Sequence, residues 1–426
     1  MLTSRRERSV LLLGADYYGT LAAARCYGKN GVSVTMADDN RRARGLCSRW
    51  VSQKLTHPSM MDPEGLVDWL VRFGQHHPGM LLYPPNDHLA WLFAEERERL
   101  GKVFTMYSPS KDVIITLLDK SRLHQACAKV GIDVPETHEV DPNEASAPFL
   151  DELRWPVLLK PRTQIFMEGG VKGIIVQDRA SLASELTRYR STAMFNRVLT
   201  RRHPEIAAPM VQEYLTAAET NIFSISGFVS KEGEFVARAA MKVLQRPRKV
   251  GIGLCFEGRD IEQDLESKLR ALCQSVGYFG AFESEFIVLG DKRLLIDFNP
   301  RFYSQMAFDI ARGLRLPLLV EHAARGDRAS LEAELDQARS WKPTGHEVYC
   351  HKTMLDLVLT LQGLSGEMSR AERKQWQRWY SAHRTGVTDA VRDPGDRKPA
   401  LVDAAQWAEH FVRHPRSFIR NFVLNK

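Results

Sequence analysis

A chain of 426 residues, 44% hydrophobic and 26% charged, is long enough to bury two or three cores, and its composition is that of a globular protein rather than a disordered one. The formal net charge of +7 is spread along the chain without a Lys/Arg block interleaved with aromatics, which fits phosphate-bearing small molecules and argues against a nucleic-acid partner. No run of about 18 or more apolar residues occurs, so a transmembrane helix is not supported.

The charged opening at residues 1–9 and the short apolar run after it predict a chain kept in the cytoplasm. Six cysteines without a CxxC pair or a metal-ligand rhythm read as free thiols in a reducing compartment.

From Ser9 the sequence reads as an apolar strand, a turn with Gly14 and Gly19, an alanine-rich helix, and a second strand at residues 32–36, a βαβ opening. The turn is either structural or an anion site at a helix N-terminus. The third glycine of a dinucleotide fingerprint is missing, which argues against a dinucleotide oxidoreductase. A helix at 62–73, a strand at 80–84 and a helix at 86–100 complete a small α/β domain over residues 1–112. Pro84 and Pro85 place Asn86 and Asp87 at the top of that sheet, either to touch substrate or to cap the helix.

Residues 114–130 read as one helix ending at Gly131. Strands follow at 156–160, 173–177, 210–215, 222–229, 235–241, 282–289 and 293–298, with helices at 181–188 and 261–276, an α+β pattern. From about residue 317 the chain is mostly helical and polar. Its last segment is amphipathic and basic, interrupted by Pro415, and fits a packed or subunit-contacting helix, with a peripheral membrane contact as the alternative.

The segment AFESEFIVLGDKRLLIDFNPRF, residues 281–302, carries the chemistry. Two strands joined at Gly290 and Asp291 bring Glu285 and Asp297 side by side, and a period of two adds Asn299 and Arg301 to that face. Three hard oxygen ligands beside an arginine make a site for Mg²⁺ on a triphosphate. Set among Phe282, Phe286, Leu295 and Phe298, unpaired carboxylates would otherwise be costly.

This segment resembles the metal-binding signature of the ATP-grasp superfamily, a glutamate followed by Glu-x-Asn-Pro-Arg. The resemblance implies an ATP-grasp domain at residues 113–325. It follows a Rossmann-like domain at 1–112 and precedes a mostly helical region at 326–426. The implied cofactors are ATP and Mg²⁺ or Mn²⁺, with Glu285, Asp297 and Asn299 as metal ligands.

On the same resemblance, Lys120 (LLDKSRL) and Lys160 (WPVLLKP) hold phosphates, and Gly169 and Gly170 belong to the loop that closes over them. Gln212, Glu213 and Leu215 form the adenine hinge, and Glu219 grips the ribose. MKVLQRPRKVGIGLCFEG, residues 241–258, resembles a region of the carboxylate-amine ligases that include D-aspartate ligase. There Lys242, Arg246 and Arg248 would face the cleft, and an ordinary solvated basic turn is the competing account.

The implied reaction activates a small carboxylate as an acyl phosphate and passes it to an amine, with Arg301, Arg248 and Lys242 as the catalytic cations. A bicarbonate-using carboxylase and a nucleotide-binding module without turnover are the alternatives. A homodimer is the default assembly. Two departures stand out: Asp297 replaces the usual glutamate, and Phe166 and Met167 interrupt the glycine loop.

Overall fold

The computed structural model describes residues 8–140, 152–167, 173–191, 194–245, 253–383 and 386–419. The first sheet is parallel, built from β1 (Ser9–Leu13), β2 (Ser33–Asp38), β3 (Gln53–Thr56), β4 (Leu81–Leu82) and β5 (Thr105–Met106) in the order β3-β2-β1-β4-β5. Parallel strands covered on both faces need continuous apolar runs, and Val10 to Leu13 are all at most 2% exposed. Gly14, at φ +69°, turns the chain out of β1 into the helix Tyr18–Lys29.

The second sheet is antiparallel: β6 (Thr137–Glu139), β7 (Val157–Pro161), β8 (Ile174–Val176) and β9 (Pro209–Glu213), ordered β6-β9-β7-β8. The third contains β10 (Ile222–Val229), β11 (Phe235–Gln245), β12 (Gly253–Arg259), β13 (Gly280–Leu289), β14 (Lys292–Asn299), β15 (Val348–Cys350) and β16 (Val387–Asp389). Their order is β14-β13-β10-β11-β12-β15-β16. Residues 348–350 and 387–389 thus extend the central sheet, within a region that reads from the sequence as mostly helical.

The helix expected over residues 114–130 is two helices, Lys111–Leu118 and Lys120–Lys129. Asp119 between them is extended (ψ 111°), and its carboxylate caps the second helix by accepting from Ser121 N. A second correction concerns Gly19, which lies inside the first helix and not in the turn. A Cβ there would sit 2.2 Å from the Tyr303 carbonyl oxygen, so glycine lets this helix press against the segment after β14.

The helix Lys398–Arg413 packs one side on the loops of the parallel sheet through Arg44–Asp403, Arg42–Glu409 and Gln406–Asp16. Leu401, Phe411 and Val412 are exposed. Among the described residues no helix is long and apolar enough to cross a membrane.

Candidate active site

Alternation along β10, β11, β13 and β14 divides the third sheet into two faces. One carries Phe223, Ile225, Phe282, Phe286, Leu295 and Phe298 into the main core. The other carries Ser224, Lys242, Glu283, Glu285, Asp297 and Asn299, with Glu283 opposite Asn299 and Glu285 opposite Asp297. The extra residue of the bulge, Ile296 on β14, turns Leu295 off the Asp297 face and onto the core face opposite Phe286.

Cations converge on this face from β11 itself, from the helix Lys120–Lys129 and from the segment after β14. Lys120 Nζ donates to Asp297 Oδ1 at 2.9 Å, and Lys242 Nζ donates to Glu285 Oε1 at 2.5 Å. Arg301 Nη2 donates to Asn299 Oδ1 at 2.8 Å. Burial alone would raise the Asp297 carboxyl, but Lys120 and then Lys160 outweigh it and hold it below the usual carboxylate range. About a third of the Asp297 side chain (32%) is exposed, so a ligand can reach it.

Lys160, at the end of β7, donates to Gln212 Oε1 at 2.9 Å, and Gln212 Nε2 donates in turn to Thr137 Oγ1 at 2.9 Å. Burial, with Lys120 as a second cause, pushes the Lys160 ammonium down to about 7. His124 faces the same two lysines, and burial together with their charges lowers it to about 3, so it stays neutral.

The two lysines approach because Asp119 accepts from Arg162 Nε at 3.0 Å and Nη2 at 2.7 Å, while Lys120 N donates to the Arg162 carbonyl at 2.9 Å. Lys120 is thereby fixed two residues along from the strand position of Lys160.

The parallel-sheet layer enters the site through Asp87. Its carboxylate accepts from Arg301 Nε at 2.6 Å, Phe302 N donates to Pro84 O at 3.1 Å, and Asn86 caps the helix Asp87–Glu95. The capping expectation therefore holds for Asn86, while Asp87 holds an arginine. Asp87 outweighs burial at Arg301 and keeps its guanidinium firmly charged. Phe166 is fully buried at φ +46°, stacked on His88, with its N–H donated to His88 Nδ1 at 2.9 Å. The bulky Phe166 is thus an anchor onto the helix Asp87–Glu95.

Glu283 escaped the sequence reading. It is 4% exposed, accepting from Asn299 Nδ2 at 2.7 Å and from Gln305 Nε2 at 2.5 Å. With the nitrogen of Asn299 tied to Glu283, its amide oxygen is turned toward Arg301. Burial, then the neighbouring Glu285, push the Glu283 carboxyl up to about 7. The period of two that identifies Glu285 also points to Glu283.

The proposed hinge is less uniform. Gln212 faces Lys160, whereas the Glu213 carboxylate accepts from Glu136 N at 2.9 Å, and Leu215 packs with Ile222, Ile287 and Leu294. Glu219 accepts from Tyr214 Oη at 3.3 Å. Gly169, Gly170, Arg246 and Arg248 lie outside the described residues.

The donor set suits Mg²⁺. Among the described residues no cluster of three His, Cys, Asp or Glu side chains forms a metal cage. Two carboxylates and an amide oxygen, each already drawing a cation, match an ion that keeps waters and binds through one or two carboxylates plus phosphates.

No family model matches the chain. The biotin carboxylase of Haemophilus influenzae is 24% identical over 234 residues, 53% of this chain, which spans about half (48%) of that relative's length. Among solved structures, the biotin carboxylase domain of the Hydrogenobacter thermophilus 2-oxoglutarate carboxylase superposes with a TM-score of 0.59 at 17% identity, covering 75% of this chain and 70% of that one. The L-amino acid ligase of Bacillus licheniformis gives 0.58 at 11% identity, covering 80% and 78%. The N5-carboxyaminoimidazole ribonucleotide synthetase of Thermus thermophilus gives 0.54 at 17% identity, covering 74% and 78%. The chain has the ATP-grasp fold.

Proposed function

We propose that this protein is an ATP- and Mg²⁺-dependent ligase that activates a small-molecule carboxylate as an acyl phosphate and joins it to an amine, forming a C–N bond. The observation that carries this reading is the convergence of Lys120, Lys160, Lys242 and Arg301 on one strip of Glu285, Asp297 and Asn299. Four cations over a hard-oxygen face are an arrangement for phosphoryl transfer by positioning and charge neutralisation, without a side-chain nucleophile.

Mg²⁺, or Mn²⁺ in its place, would supply charge neutralisation on the triphosphate when bound through Glu285, Asp297 and Asn299. Lys120 and Lys160 exchange their present partners, Asp297 and Gln212, for phosphate oxygens. Arg301, steadied by Asp87, faces the transferring phosphoryl group. Lys242, spaced from that arginine by Glu285 and Glu283, is placed to orient the substrate carboxylate. Arg248 is retained as a proposed oxyanion donor from the segment outside the described residues.

Bicarbonate as the activated acid is the second reading, favoured by the likeness to a biotin carboxylase. ADP release separates the two: a ligase requires an amine together with an organic carboxylate, a carboxylase requires bicarbonate. ADP formation indifferent to every acid and amine supplied would contradict both. A cytoplasmic homodimer acting on small molecules, without nucleic acid, is the setting this reading implies.

A further inference from the structure

We propose that Cys255 and Cys350 are a modification site, a dithiol that closes reversibly to a disulfide between the ATP-grasp sheet and the C-terminal region. Cys255 on β12 lies directly opposite Cys350 on β15, and their sulfurs are 3.6 Å apart.

The hydrogen-bond pattern defines the kind of pair. His351 N donates to Leu254 O at 2.9 Å and Gly258 N donates to Glu347 O at 2.9 Å, so the bonded positions are 254/351 and 258/347. Alternation then makes 255/350 a non-bonded pair, the closer type, with Cα atoms about 4.5 Å apart. That spacing falls inside the range of about 4.4–6.8 Å in which a disulfide closes without backbone movement. Small χ1 rotations bring the sulfurs together.

Both thiols are fully buried beside Leu244, Met354 and Leu355, and burial holds Cys255 well above the ordinary thiol range. The folded pair is therefore slow to react, and reaction passes through local opening. β15 has three residues and leads directly into the helix Lys352–Ser365, so opening it breaks few bonds. The oxidant is a small-molecule disulfide such as oxidised glutathione. One protein thiolate attacks it and expels a glutathione thiolate. The second attacks the protein sulfur of the mixed disulfide and expels the other. Two electrons pass to glutathione, and the two protein protons end on two glutathione thiols.

The site sits where the chain leaves the basic segment at 246–252 and where the C-terminal region joins the sheet, so the bond would staple that junction. The test equilibrates the full chain for a day in glutathione buffers from fully reduced to fully oxidised, with and without urea below the unfolding transition. Samples are then acid-quenched, alkylated and mapped by peptide mass spectrometry. The expected product is a peptide linked through Cys255 and Cys350, increasing with the oxidised fraction and lost on adding dithiothreitol. Cys350→Ser abolishes it, and only the wild type melts higher in oxidised buffer. Alkylated thiols at both positions at every ratio, urea included, would overturn the proposal, as would links that pair either residue with another cysteine.

Discussion

Asp119 and Arg162, 43 positions apart, form a buried two-point ion pair at 2.7 and 3.0 Å that sets Lys120 against the strand carrying Lys160. Asp119 is 0% exposed and Arg162 5%. Removing Asp119 leaves the buried Arg162 to the half-exposed Glu139 at 3.3 Å, which costs up to about 3–5 kcal/mol. Asp119→Ala is expected to lower the midpoint of denaturant unfolding by that equivalent. Arg162→Lys, which keeps the charge and loses the fork, is expected to lose less stability but still weaken ATP binding. Equal stability of all three proteins would remove the pair from this role.

The depressed Lys160 ammonium makes nucleotide binding pH-dependent. Phosphate favours its charged form, so affinity is greatest below about pH 7 and falls as pH rises, by up to about tenfold per unit until the pKa of the complex is reached. The sign for folding is opposite. Between about 7 and the ordinary 10.5 the unfolded chain holds the extra proton, so this group's contribution to stability rises with pH. Calorimetric titration of ATP from pH 6 to 9 measures the binding slope, which Lys160→Arg should flatten. A flat wild-type profile would show that Lys160 does not meet phosphate.

Glu283 orients the amide of Asn299. In Glu283→Gln the replacement can donate as well as accept, so the amide is no longer held with its oxygen toward the metal position. Metal affinity is expected to fall by about 10- to 100-fold, while ATP binding in chelator changes little. Mn²⁺ binding followed by electron paramagnetic resonance reads the first quantity directly. Unaltered Mn²⁺ affinity would leave Glu283 with a packing role alone.

Gly19→Ala puts a methyl group 2.2 Å from the Tyr303 carbonyl oxygen. Backbone cannot swing aside as a side chain can, so the expected cost is about 1–3 kcal/mol, seen as a lower melting temperature. The strain falls next to Arg301, so turnover should drop further than stability alone accounts for. A variant as stable as the wild type would mean that helix and segment separate freely.

The hairpin of β13 and β14 was readable because alternation and a glycine turn leave one arrangement in which its phenylalanines reach the core. The break at Asp119 is not legible in the sequence, since no glycine or proline marks it and its extended conformation rests on the distant Arg162. Lys120 and Lys160 are 40 positions apart, and their approach was expected from family likeness rather than periodicity. Gly19 passed for a turn residue because nothing local reveals the neighbour it must admit. The two short strands β15 and β16 are too brief for alternation to register.

In the proposed reaction, magnesium-loaded ATP lies between Lys160 and Asp297. Isothermal calorimetry of MgATP against the wild type, Lys160→Ala and Asp297→Ala, with melting curves to confirm that each variant is folded, tests it most directly. Saturable binding by the wild type and at least about a tenfold loss in each folded variant are expected. Wild-type affinity in both would contradict this placement.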